Sequence, residues 1–267
     1  MLASRSPLLL ALMAVALGAL APAFAQGGKP ADKPDPAKER SKAIQGHLAE
    51  MKKLVADKSG KKDGDAITQI DKLMEAFPEA AAADKKLISD AVAKNLTLER
   101  PPLGPNEEQH KLFQTSVVAL GQMGELGSKH LVSAFEMKEW KRDARFRGRI
   151  LTSIGSTKDP NAVEFLIKVL NDKDDGIVAD CSAAFGSYNT AKEDVRKKIV
   201  EKLVNLLNSS QSQAADPSTP QGKVAKDRYE KISPAIIESL QKLTNQTLRQ
   251  PLEWQKWWNN NKQKPWT

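Results

Sequence analysis

Three glycines, Gly121, Gly155 and Gly186, stand 34 and 31 residues apart, each near the end of a run whose apolar residues recur at helical spacing. Around the first two the match extends to their neighbours. Val117, Leu120 and Gly121 fall 34 residues before Leu151, Ile154 and Gly155, and Leu131, Val132 and Phe135 fall 34 before Phe165, Leu166 and Val169. A period of this length describes a helix, a short turn and a second helix, here three times over residues 107–208, with each hairpin burying its apolar face against the next. No segment sustains period-two alternation, so the expected class is all-α.

Helical spacing starts at Ala37, with Ile44, Leu48, Met51 and Val55, and continues through Ile67, Ile70, Met74 and Phe77. Breakers cut it into short pieces. Lys58 to Gly64 reads as a loop, Pro78 ends a helix, and Arg100-Pro-Pro-Leu-Gly-Pro105 is a rigid connector, so residues 37–106 read as N-terminal helical hairpins of degenerate repeat type. Ser209 to Gly222 is rich in Ser, Gln and Pro and reads as a mobile surface loop. Residues 223–267 read as a helical pair, with Pro234 at a helix start or kink, closed by a tryptophan-rich helix.

The middle unit has a residue pattern of its own. Ile154-Gly155 reads as the end of its first helix with a glycine C-cap, Asp159-Pro160 as the start of its second, and Val163, Leu166, Ile167 and Leu170 as one apolar stripe. The whole stretch from Leu151 to Val178 resembles a HEAT repeat and is similar to the short bacterial type also seen in phycobilisome lyase-like proteins. Ala179 stands where a basic residue is usual, and the third unit has a longer Tyr188-Asn-Thr-Ala turn. The ending, Leu243-Thr-Asn-Gln246 and then Trp254-Gln-Lys-Trp257-Trp258, resembles the tail of secreted bacterial HEAT-repeat proteins, with Asn245 in place of a usual glycine. The resemblance implies an α-solenoid of HEAT-like hairpins that serves as a non-catalytic scaffold for a protein partner.

Residue types narrow the chemistry. One cysteine, Cys181, excludes an internal disulfide framework or a cysteine metal cluster, and the histidines His47, His110 and His130 are scattered, so no metal or cofactor is expected. The chain has no Gly-x-Ser-x-Gly elbow and no Gly-rich phosphate loop, and it is read as a binding protein rather than an enzyme. Cys181 lies among small residues, which suits close packing.

The densest charge is Lys138-Glu-Trp140-Lys141-Arg142-Asp-Ala-Arg145-Phe146-Arg147-Gly-Arg149, six bases and two acids interleaved with two aromatics. Two roles fit it: forked recognition of phosphate, sulfate or carboxylate groups, or a solvated turn with Trp140 and Phe146 in the core. A second basic group, Lys192, Arg196, Lys197, Lys198 and Lys202, shares the helix that carries Val195, Ile199, Val200 and Leu203 on its opposite face, and reads as a further contact surface, with Lys192, Arg196 and Lys198 as its candidates, or as an ordinary polar helix face. The formal charge of +8 permits anionic glycans, phosphorylated polymers or lipid headgroups as the alternative ligands. Trp254, Trp257 and Trp258 make one helical stripe, the candidate cap of the array, with ligand stacking or attachment to a membrane interface as the alternatives.

Met1 to Ala25 reads as a secretory signal: Arg5, an apolar stretch from Leu8 to Leu20, then Ala23-Phe24-Ala25. That stretch falls short of the ~20 residues a membrane-spanning helix needs, so no span is expected after cleavage. The product is expected in the periplasm or outside the cell, where nucleic acid is not the expected partner. Gln26 to Pro36 reads as a disordered leader. Removal of residues 1–25 takes away Arg5 and no acid, which leaves 40 Lys plus Arg against 33 Asp plus Glu, a charge of +7 on the mature chain. Cleavage between Ala25 and Gln26 is expected, and intact-mass measurement of exported protein checks it; a mass that includes residues 1–25 refutes it.

Overall fold

The computed structural model describes residues 35–102 and 110–266. Along them run α1 (Pro36–Val55), α2 (Asp63–Ala76), α3 (Ala82–Lys94), α4 (Lys111–Gly121), α5 (Glu125–Phe135), α6 (Ala144–Thr157), α7 (Val163–Val169), α8 (Asp175–Phe185), α9 (Glu193–Gln213), α10 (Pro220–Thr244) and α11 (Pro251–Asn261). No strand occurs among the described residues, in agreement with the all-α expectation. The segments read as signal and leader lie outside the described residues, except that Pro36 is the first residue of α1.

Local chemistry starts these helices where it does. The Asp143 carboxylate accepts the Phe146 amide at 2.9 Å to open α6, Asp174 accepts those of Gly176 and Ile177 at 2.8 and 3.3 Å to open α8, and Thr219 accepts that of Gly222 at 3.0 Å to open α10. At α11 the Glu253 carboxylate takes the Gln250 amide at 3.0 Å behind Pro251, a reciprocal cap. Each helix then turns its apolar stripe inward, and one continuous core runs from Ile44 to Trp258.

Successive helices pack in a consistent order. The first helices α2, α4, α6, α8 and α10 each contact the next, and the second helices do likewise, α3 with α5, α7 with α9 and α9 with α11. Between α5 and α7 the link is made through the 3-10 turn Pro160–Ala162, which leads into α7. Each second helix also lies against the first helix that follows it, as α5 against α6 and α9 against α10. Polar ties cross these junctions: Ser89 Oγ donates to Leu126 O at 3.2 Å, Cys181 Sγ to Leu166 O at 3.1 Å, and Ser239 Oγ to Ser182 O at 2.7 Å.

Gly121 ends α4 and Gly186 caps the end of α8, as expected, but Gly155 lies inside α6, and all three sit at close approaches. A Cβ on Gly155 would sit 2.6 Å from the carbonyl oxygen of Ala184, one on Gly121 3.1 Å from Ser153, and one on Gly186 3.1 Å from Ser239 Oγ. Helix α6 runs past Gly155 to Thr157 and ends at Lys158, whose left-handed backbone (φ 53°) supplies the cap that the sequence reading assigned to Gly155. The missing side chain is used where α6 meets α8. Asp159-Pro160 likewise opens the 3-10 turn, with α7 beginning only at Val163.

Three boundaries also differ from expectation. The segment read as the mobile loop 209–222 is helical at both ends, because Leu207 and Ser210 are buried and carry α9 on to Gln213, which leaves only residues 214–219 between the helices. Pro234 lies inside α10, which starts fourteen residues earlier at Pro220; it removes one backbone donor while the helix continues on both sides. The loop after α1 ends at Lys62, since Asp63 and Gly64 belong to α2. Asp63 has a partner that no local pattern announces. Arg100 donates to its two carboxylate oxygens at 2.9 and 2.7 Å and to Val55 O at 3.2 Å, with its side chain 2% exposed, which fastens Arg100 to α1 and α2.

Gly155→Ala should therefore destabilise the fold by about 1–3 kcal/mol, the usual cost of overpacking. Gly46 provides the contrast: it lies mid-helix in α1 with nothing within 4 Å of an added Cβ. Gly46→Ala should stabilise by roughly 0.5–1 kcal/mol. Urea unfolding of both variants checks the pair of opposite signs.

Candidate functional site

The basic stretch forms the turn after α5 and most of α6, and the structure divides it by direction. Lys138, Lys141, Arg142, Arg145 and Arg149 are exposed, while Trp140 and Phe146 are buried with ring centroids 4.5 Å apart. The aromatics thus belong to the core. Arg149 donates to Gln114 Oε1 on α4 at 3.2 Å. Arg147, two residues along α6 from Arg145 and Arg149, points instead between helices: its guanidinium donates to Asp172 at 3.0 Å and lies 4.1 Å from the Phe135 ring centroid. Its Nε is buried with no hydrogen-bond partner.

Burial alone would raise the Asp172 carboxyl, but the Asp174 amide and the Arg147 guanidinium outweigh it and hold that group below the usual carboxylate value. A depressed native value means that this pair stabilises the fold above the unfolded value of about 3.9, and that the contribution fades as pH falls through the lower native one.

The second basic group is drawn into the chain's own contacts. Arg196 donates to Leu243 O at 3.2 Å and lies 5.5 Å from the Trp266 ring, which joins α9 to the end of α10 and to the C-terminal segment. Lys198 pairs with Glu164 of α7. Lys192, just ahead of α9, is exposed. The structure therefore does not gather Lys192, Arg196 and Lys198 onto one common ligand.

Trp254 is fully buried and Trp258 nearly so, with Trp257 packed beside them at 6.0 Å from Trp254. Their helix, α11, packs on α9, where Asn208 donates to Gln255 Oε1 at 3.1 Å. Trp266 then covers Trp257 and Trp258 at 5.4 and 6.1 Å, and its amide donates to Glu193 at 3.1 Å. The tail thus reaches back to the start of α9.

Two adjacent groups on α8 have titrations shifted upward. Burial pushes the Cys181 thiol well above its ordinary value, with Asp180 and Asp172 adding to the shift, so it is a poor nucleophile in this packing. Burial, then Asp174, raises the Asp180 carboxyl: a Cβ on Gly148 would come within 2.1 Å of Asp180 Oδ2, so the carboxylate end rests against α6 although much of the residue is exposed. No group of three or more His, Cys, Asp or Glu side chains is arranged to hold a metal ion among the described residues. No helix there is long and apolar enough to cross a membrane.

Open grooves lie along the second helices. One of about 300 Å³ runs between α3 and α5 over Leu96 and Met137, beside the His130–Asp90 contact of 3.1 Å. The next, about 440 Å³, lies between α5 and α7 and is walled by Phe135, Phe165 and Arg147. The chain matches no family model, no curated protein and no solved structure.

Replacing Trp254 with Ala should cost about 3–5 kcal/mol, as for other buried aromatics. Truncation after Asn245 should lower the melting temperature, and the intact protein should emit blue-shifted tryptophan fluorescence. Red-shifted emission with unchanged melting would assign the tail to ligand binding instead.

Proposed function

We propose that this chain is a non-catalytic scaffold, an α-solenoid of HEAT-like hairpins in the bacterial periplasm or outside the cell, which holds a protein partner on the face made by its second helices. The observation that carries this reading is the order of packing, in which first helices contact first helices through glycine and small side chains while second helices flank open grooves. Repeat arrays of this kind expose an extended surface that no single hairpin has. On this reading α11 covers the end of the core beside α9.

A second reading has an observation of its own. Five bases between residues 138 and 149 are exposed on one turn and helix start, which suits an anionic glycan, a phosphorylated polymer or lipid headgroups. Ionic strength separates the two. Affinity capture from the native envelope fraction at low and high salt should retain one defined protein under both conditions. Capture that vanishes at high salt and yields only polyanions would replace the scaffold with the anion binder.

A further inference from the structure

The row of second helices is tied by polar side-chain contacts on both sides of one junction. His130 meets Asp90 between α5 and α3, and Lys198 meets Glu164 between α9 and α7. Between α5 and α7 no ion pair occurs among the described residues; Phe135 meets Phe165 edge-on at 5.4 Å, and the groove of about 440 Å³ opens there. Helix α7 has seven residues against eleven in α5, and Arg147 reaches in from α6 to pair with Asp172 beside the groove.

The charges around this groove are unequal. Arg147 and Asp172 neutralise each other at the floor. At the rim stand Lys141 and Lys168, both exposed, against Glu136 alone. Lysines near a helix C-terminus often serve its carbonyls. Here the Leu166, Lys168 and Val169 carbonyls already accept the amides of Leu170, Asn171 and Asp172 at 3.2, 3.1 and 2.9 Å. Lys141 and Lys168 both line this pocket, whose aromatic walls are Phe135 and Phe165. The α3–α5 groove begins on the other side of the same helix end, at Met137, two residues beyond Phe135, so a chain crossing the end of α5 reaches both.

From this we infer that the α5–α7 groove receives an acidic side chain from an extended segment of the protein partner. Its carboxylate is held between Lys141 and Lys168, and the neighbouring apolar side chain lies on Phe135 and Phe165. The inference rests on the scaffold reading and names the chemistry of the partner at one point of its surface. An extended peptide fits better than a polymeric anion because half of the surface it would cover is apolar.

The test uses the mature chain with two fluorescent synthetic peptides, one alternating Glu with Leu and one with Gln in place of Glu, and polyphosphate as a third probe. The Glu peptide should bind, and Lys141→Glu with Lys168→Glu should weaken it about tenfold or more. Melting should be unchanged, since both lysines are exposed. Lys138→Glu with Arg142→Glu, on the same turn but outside the groove lining, should weaken it less than about threefold. Equal binding of the Glu and Gln peptides, equal loss in the two double variants, or polyphosphate bound as well as the Glu peptide would each overturn the inference. A native partner captured equally by the parent and by the Lys141→Glu, Lys168→Glu variant would overturn it while leaving the scaffold reading intact. Loss of all protein capture by the parent would overturn the scaffold reading itself.

Discussion

Successive first helices approach closely where a glycine leaves room for the backbone or a small side chain of the next. Interhelical spacing depends on the side chains at the contact, and a glycine facing Ser or Ala lets two helices come nearer than larger residues allow. Gly121 faces Ser153, Gly155 faces Ala184 and Gly186 faces Ser239, so the same device recurs from α4 to α10. Close approach then brings small polar groups within bonding reach of the neighbouring helix, as with Ser239 on Ser182 O and Asn95 on Ser116 Oγ. Second helices meet through larger residues such as Phe135, Phe165 and Met137, and the grooves described between successive helices of that row lie beside them.

Much of this was legible from periodicity. Burying one stripe per helix leaves a repeat in the chain, and residues 107–208 carry it plainly enough to predict helices, their pairing and the inward stripe of Val163, Leu166 and Leu170. The task of Gly155 was not legible, since a left-handed cap and a close backbone approach both select for a missing Cβ. Only the positive φ of Lys158 decides between them. Composition misled at residues 209–222 because Ser and Gln are poor evidence against a helix whose buried face is supplied by Leu207 and Ser210. The Arg100–Asp63 clasp spans 37 residues and left no local mark at all.

The basic stretch shows the same limit for sites. Its density was plain in the sequence, and so was the common face of Arg145 and Arg149 at i and i+4. The direction of Arg147 was implicit too, because two helical positions rotate a side chain to the far face. What could not be read was the acceptor: Asp172 lies 25 residues away in the turn after α7. Arg196 repeats the lesson, since its acceptor is a main-chain carbonyl, Leu243 O, that carries no residue signature.

Two departures from the repeat are physically connected. The longer turn of the third unit folds as a 3-10 segment from Gly186 to Thr190 and buries Tyr188, whose hydroxyl donates to Asp159 O at 3.0 Å. Burial, then Asp159, pushes that phenol well above its usual value, so it stays protonated and remains a donor throughout the physiological range. Asp159 in turn caps the 3-10 turn through the Asn161 amide at 2.9 Å, and Pro160 follows it. The extra turn residues of one unit are therefore tied, through Tyr188, to the turn that opens the second helix of the unit before it.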